Sequence, residues 1–150
     1  IPEYHSDLSR RISEWIEGKG YTRPGITLND LSSALGTNRT YLSEYINTVF
    51  RKSFRDWISD LRIDYAKGFM DSNPQARIQE VSETSGFLSI SHFSRTFSER
   101  EGCSPSQWRK DRQTGQWFFC WFYKNICPYN KRSRALWSII SAFTIFVLQE

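Results

Sequence analysis

The hydrophobic pattern of one short helical hairpin returns about fifty residues further along the chain, and this repeat restricts the fold more than any other feature. Leu28, Leu31 and Ser32 are followed by Ile78, Val81 and Ser82, and Gly36 by Gly86. Beyond the glycine one extra residue enters, after which Phe93 and Phe97 stand where Leu42 and Ile46 stood. Apolar residues three and four apart form one stripe of a helix. A duplicated pair of short helices with a glycine between them therefore argues for an all-α chain made of two similar units.

The remaining helices follow from the same periodicity. Leu8, Ile12, Trp15 and Ile16 predict a first amphipathic helix, stopped by Gly18 and Gly20. Thr27 followed by Asp30 has the capping-box spacing. After Gly36 a new helix starts near Thr37 or Asn38 and buries Leu42, Tyr45, Ile46 and Val49. A longer helix over about 53–70 carries Phe54, Trp57, Ile58, Leu61, Tyr65 and Phe69 on its apolar stripe, and Asn73-Pro74 ends it. The repeat then supplies two more helices. Ser104-Pro105 opens the last, anchored by Trp108. About seven helices result: unit one over about 8–52, a linker helix over about 53–70, and unit two over about 76–112. No alternating strand pattern of useful length occurs.

A short helix, a tight turn with glycine and a second helix is the helix-turn-helix layout. The first helix covers one face of the second and leaves the other exposed. In unit one the expected exposed residues are Arg39, Thr40, Ser43, Glu44 and Asn47; in unit two they are Ser91, Ser94, Arg95 and Ser98. Small polar side chains suit base edges and phosphates in a major groove. Arg95 has the fork that matches guanine, and Glu44 accepts from cytosine but repels phosphate. One such pattern alone is a weak signal, because a helical hairpin in a core looks the same. Two copies on a long helix are more specific. Eighteen helical residues span about 27 Å, near the groove repeat of about 34 Å.

Charge alone carries no such conclusion. The chain has a formal net charge of +4, yet through Arg112 there are 16 basic and 15 acidic side chains, so the excess lies in the tail. Three cysteines, Cys103, Cys120 and Cys127, are an odd number without a framework and fit a reducing, cytoplasmic setting. Their spacing, with His92, does not fit a zinc site, and no metal or cofactor is expected. Cys103 is expected as a small packed residue, and His92 as a cap-adjacent or partly buried imidazole rather than a phosphate contact. No Ser-His-Asp set, phosphate loop or carboxylate pair stands out, so no enzyme activity is expected.

Several motifs together resemble the AraC/XylS family of transcription regulators. Ile26-Thr27-Leu28-Asn29-Asp30-Leu31-Ser32-Ser33-Ala34-Leu35-Gly36 with Thr40-Tyr41-Leu42-Ser43 is similar to its first helix-turn-helix. Ser53-Phe54-Arg55-Asp56-Trp57-Ile58 and Leu61-Arg62-Ile63 resemble its linker helix. The most diagnostic stretch is Ile78-Gln79-Glu80-Val81 through Gly86-Phe87, Phe93-Ser94-Arg95-Thr96-Phe97 and Gly102-Cys103-Ser104-Pro105-Ser106-Gln107-Trp108-Arg109. The resemblance spans about residues 7–112. It implies a double helix-turn-helix reader of promoter DNA, a separate sensing or dimerising region, and RNA polymerase as a further partner. The base-reading positions it implies are Thr40, Ser43 and Glu44 in unit one, and Ser91, Ser94 and Arg95 in unit two. The first recognition helix departs from the pattern in its sparse positive charge, so unit one is expected to contribute less affinity.

The tail over 113–150 stands apart from the repeat. It holds the aromatic run Trp117-Phe118-Phe119-Cys120-Trp121-Phe122-Tyr123, the basic Lys131-Arg132-Ser133-Arg134 and fourteen mostly apolar residues over 135–148. Fourteen is short of the twenty or so that cross a bilayer. Two readings stay open: a hydrophobic helix that contacts a membrane or a partner, or a non-native end. The leading function is a sequence-specific DNA-binding transcription regulator, here as its output domain. The alternative is a helical protein-interaction module, membrane-associated through the tail, and the near-neutral charge and Glu44 motivate it.

Overall fold

The computed structural model describes residues 3–114, and side chains from residue 7. The expectations for the tail, Cys120 and Cys127 included, lie outside the described residues. Among the described residues seven α-helices follow one another: α1 (Glu3–Glu17), α2 (Leu28–Ala34), α3 (Arg39–Phe50), α4 (Phe54–Ser72), α5 (Ile78–Thr84), α6 (Ile90–Glu101) and α7 (Pro105–Thr114). A 3-10 turn, Gly20–Thr22, lies between α1 and α2. There is no strand among the described residues.

Local chemistry sets the helix starts. Thr27 Oγ1 accepts from the Asp30 amide, and the Asp30 carboxylate accepts from the Thr27 amide, closing the capping box of α2. The Thr27 hydroxyl on the Asp30 carboxylate holds that acid below its ordinary range. Asn38, Ser53 and Ser89 cap α3, α4 and α6 with their side-chain oxygens. Ser104 Oγ accepts from the Gln107 amide at the start of α7. The copies differ here, because α5 begins after Arg77 with no side-chain cap.

Two cores result, one per unit. The first gathers Leu8, Ile12, Tyr21, Leu31, Leu35, Leu42, Tyr45, Ile46, Trp57 and Ile58. The second gathers Ile63, Ala66, Met70, Val81, Phe87, Phe93 and Phe97. Helix α4 serves both. At about 100° per residue, Phe54, Trp57, Leu61 and Tyr65 share one face, and Ile63, Ala66 and Met70 lie roughly opposite. The sequence pattern had shown only the first stripe. Trp57 is the anchor of the first core: it stacks on Trp15 of α1 at 5.9 Å and on Phe50 at 5.1 Å between ring centroids. Leu61 is only half-buried against that core rather than inside it.

Val49 corrects the expected buried face of α3, being 52% exposed. Phe50, four residues after Ile46, takes the core position instead and stacks on Trp57. The backbone then reverses through Arg51 in the left-handed conformation, φ 56°.

The two units are tied by groups that sequence periodicity does not display. Arg62 of α4 donates through Nε to the Tyr21 carbonyl (2.8 Å) and through Nη2 to the Arg23 carbonyl (2.9 Å). Its guanidinium also lies over the Phe87 ring, 5.7 Å from the centroid. One side chain thus joins the 3-10 turn of unit one to the turn of unit two, and burial pushes its pKa down from the ordinary value. Beside it, Gly86 presses its α-carbon against the Thr22 backbone. Asp60 forms ion pairs with Lys52, just past α3, and with Arg100 of α6 at 2.5 Å.

Candidate nucleic-acid interface

In both units the second helix of the hairpin buries one face and presents the other. Helix α3 buries Leu42, Tyr45 and Ile46, and α6 buries Phe93, Thr96 and Phe97. Helix α2 packs across α3, and α5 across α6. The glycine between them adopts positive φ in each copy, +59° at Gly36 and +82° at Gly86, a conformation that side-chain-bearing residues adopt only with strain. The next amide closes both turns in the same way: Thr37 donates to the Ser32 carbonyl at 2.9 Å, and Phe87 to the Ser82 carbonyl at 3.0 Å.

The exposed face of α3 carries Arg39, Thr40, Glu44 and Asn47, with Ser43 half-buried at its centre. All five line one open groove together with Leu28 and Thr48. On α6, Ser91 and Arg95 are exposed and Ser94 is half-buried. Ser98, like Ser43 and Ser94, departs from the expected exposure: it is half-buried, and its hydroxyl donates to the Ser94 carbonyl at 2.8 Å. His92 is cap-adjacent as expected, its amide donating to Ser89 Oγ at 3.2 Å, and its ring is exposed and edge-on to Phe87 at 5.6 Å. Cys103 is half-buried.

Neither α3 nor α6 has an acidic residue in its first turn. Their macrodipoles and the first-turn amides left over by the Asn38 and Ser89 caps therefore present positive potential at the end nearest the turn. Arg39 and Arg95 make no ion pair with any described residue, whereas Arg10, Arg11, Lys52, Lys67, Arg100 and Arg112 are all engaged with carboxylates. Each helix face thus holds one guanidinium without an ion pair; the exposed Arg23, Arg51, Arg55 and Arg77 elsewhere among the described residues also make none. The two faces are not equivalent. Glu44 and Arg95 both stand six residues after their N-caps, Asn38 and Ser89, so one position carries opposite charge in the two copies.

Three features of this region had not been singled out from the sequence. Leu88 and Ile90 are exposed apolar side chains beside the α6 cap. Arg62 is the clasp between units. The one-residue insertion was the available signal for Leu88; nothing in the periodicity marks Arg62.

A helix-turn-helix domain family matches residues 31–111, more than half of the chain. The chain belongs to the AraC/XylS type of helix-turn-helix proteins. Among curated relatives, it is 34% identical over 85 residues to the HTH-type transcriptional regulator ExsA of Pseudomonas aeruginosa, covering 57% of this chain and 30% of that protein. It is 35% identical over 99 residues to the thermoregulatory protein LcrF of Yersinia pestis, covering 66% of this chain and 35% of that protein. The chain spans about a third of the length of these relatives. Among solved structures, the C-terminal domain of AraT, a response regulator from Geobacillus stearothermophilus, superposes with a TM-score of 0.63 at 28% identity, over 70% of this chain and 85% of that one. The DNA-binding domain of AdpA, solved with a target DNA, shares the fold with a TM-score of 0.64 at 16% identity, over 73% and 95%. The all-α double helix-turn-helix architecture expected from the repeat is therefore that of this AraC-type group. Among the described residues no helix is long and apolar enough to cross a membrane.

Proposed function

We propose that this AraC-type chain is the DNA-binding output part of a sequence-specific transcription regulator, and that α3 and α6 enter adjacent major grooves on one face of a duplex. The observation that carries this reading is the pair of exposed, acid-free helix starts held on one connecting helix. Arg39, Thr40, Ser43, Glu44 and Asn47 are the contact residues of unit one; Ser91, Ser94 and Arg95 are those of unit two. Phosphates meet the helix N-termini and fix the register, and the side chains meet base edges. A sensing or dimerising region and RNA polymerase are the further partners in this proposal, and the cytoplasm its setting.

Footprinting of a single chain on a duplex selected from a random pool tests the two-groove arrangement. Protection is expected over two segments with centres about 10 base pairs apart. Protection of about five base pairs that is unaffected by Ser43→Ala and Glu44→Ala would leave unit two as the sole reader and unit one as scaffold.

Arg95→Ala addresses base reading directly. The side chain is exposed, unpaired and placed where a bidentate contact to guanine is available, so the substitution is expected to weaken the selected site by about 1–3 kcal/mol. The preference at one or two neighbouring base pairs should relax as well. Competition against a panel of single-base variants distinguishes this from an equal loss on every sequence, which is the mark of a phosphate contact.

A further inference from the structure

Unit two carries an apolar feature that neither core uses. The turns of the two copies match through the amides of Thr37 and Phe87, and the caps match at Asn38 and Ser89. The extra residue of unit two is therefore Leu88, between a buried Phe87 and a capping Ser89. With both neighbours pinned, its side chain stands outward, 77% exposed. Two residues on, Ile90 opens α6 and is 42% exposed, at the position that Arg39 occupies in unit one. Packing does not require an apolar residue at either place.

What the pair fits follows from its neighbours. It adjoins Ser91, Ser94 and Arg95 at the N-terminal end of the helix, the end that meets base edges in a helix-turn-helix. Two side chains on one turn present far less than the roughly 800 Å² per partner of a stable protein complex. The first turn of α6 has no acid to repel a phosphate. In the major groove the apolar group that a base pair offers is the 5-methyl of thymine. We propose that Leu88 and Ile90 form an apolar contact for a thymine 5-methyl group at the edge of the site of unit two, so that this unit selects thymine by burial of a methyl as well as by hydrogen bonding. The contact rests on the duplex-reading function proposed above.

The test uses the whole 150-residue chain and a duplex it has selected from a random pool, with each thymine replaced singly by deoxyuridine, which lacks only the methyl. Wild type is expected to bind about three- to fivefold more weakly at one or two positions inside the groove occupied by unit two. The double variant Leu88→Ser, Ile90→Ser should bind the thymine duplex with about the same loss and be indifferent to the uracil at those positions. An unchanged melting temperature of the variant shows that the loss belongs to the contact. A variant that keeps the uracil penalty, or a wild type insensitive at every thymine of that groove, overturns the methyl contact while leaving duplex reading intact. A chain that selects no duplex overturns duplex reading itself, and the methyl contact with it.

Discussion

Gly86→Ala is expected to destabilise the fold by about 3–5 kcal/mol, whereas Gly36→Ala at the equivalent turn should cost about 1–2. Both glycines have positive φ, so both substitutions carry the backbone penalty. Only at Gly86 does an added Cβ meet other backbone, 2.2 Å from the Thr22 carbonyl oxygen. At Gly36 the nearest atom is the flexible end of Arg11 at 3.5 Å. The turn at Gly86 and the Gly20–Thr22 turn would have to separate, and the Arg62 bonds to Tyr21 and Arg23 would stretch with them. Denaturant unfolding of the two variants measures the difference; equal losses would show that the contact between the turns gives way without resistance.

The second large effect is at Trp57. Its ring lies between Trp15 and Phe50 and is 4% exposed, so Trp57→Ala removes a contact shared by α1, α3 and α4. A loss of about 3–5 kcal/mol is expected. Leu61, on the same stripe but half-buried, should cost less on truncation, about 1–2 kcal/mol. Thermal or denaturant melts of the pair check the ranking. A Trp57→Ala midpoint within error of wild type would mean that the three rings do not form one core.

These two residues also mark what the sequence made legible. Trp57 stood out because an apolar stripe at helical spacing is a local signal. The repeat showed both turns for the same reason, since Gly36 and Gly86 recur with their hydrophobic neighbours. The contact that separates Gly86 from Gly36 was not legible, because Thr22 is 64 residues away in the chain and nothing at either position records their meeting. The second stripe of α4 escaped because Ile63, Ala66 and Met70 are interleaved with the first, and Ala66 is too small to weigh in a periodicity. At the candidate interface, helix geometry placed Arg39, Thr40, Glu44, Asn47, Ser91 and Arg95 on the solvent side correctly. It misjudged Val49, which is exposed, and Ser43, Ser94 and Ser98, which are half-buried, because a few degrees of helix rotation decide between solvent and core.

The carboxylate of Asp60 lies between Lys52, just past the end of α3, and Arg100, in the last turn of α6. One acid on the strut therefore holds the trailing ends of both proposed readers. An exposed pair of this kind contributes little to stability, but here both Asp60 and Arg100 are largely shielded from solvent, and Arg62 separately ties the Gly20–Thr22 turn to Phe87. The consequence is metrical. Adding one base pair between two sites moves them apart by about 3.4 Å and turns one against the other by roughly 35°. A loosely jointed pair of readers absorbs such a shift by swivelling. A pair fastened at Asp60 and Arg62 transfers it to the duplex, which has to bend or twist to keep both contacts. Under the two-groove reading proposed above, the chain would act as a gauge of operator spacing, and distance along the DNA would become part of the sequence that it recognises.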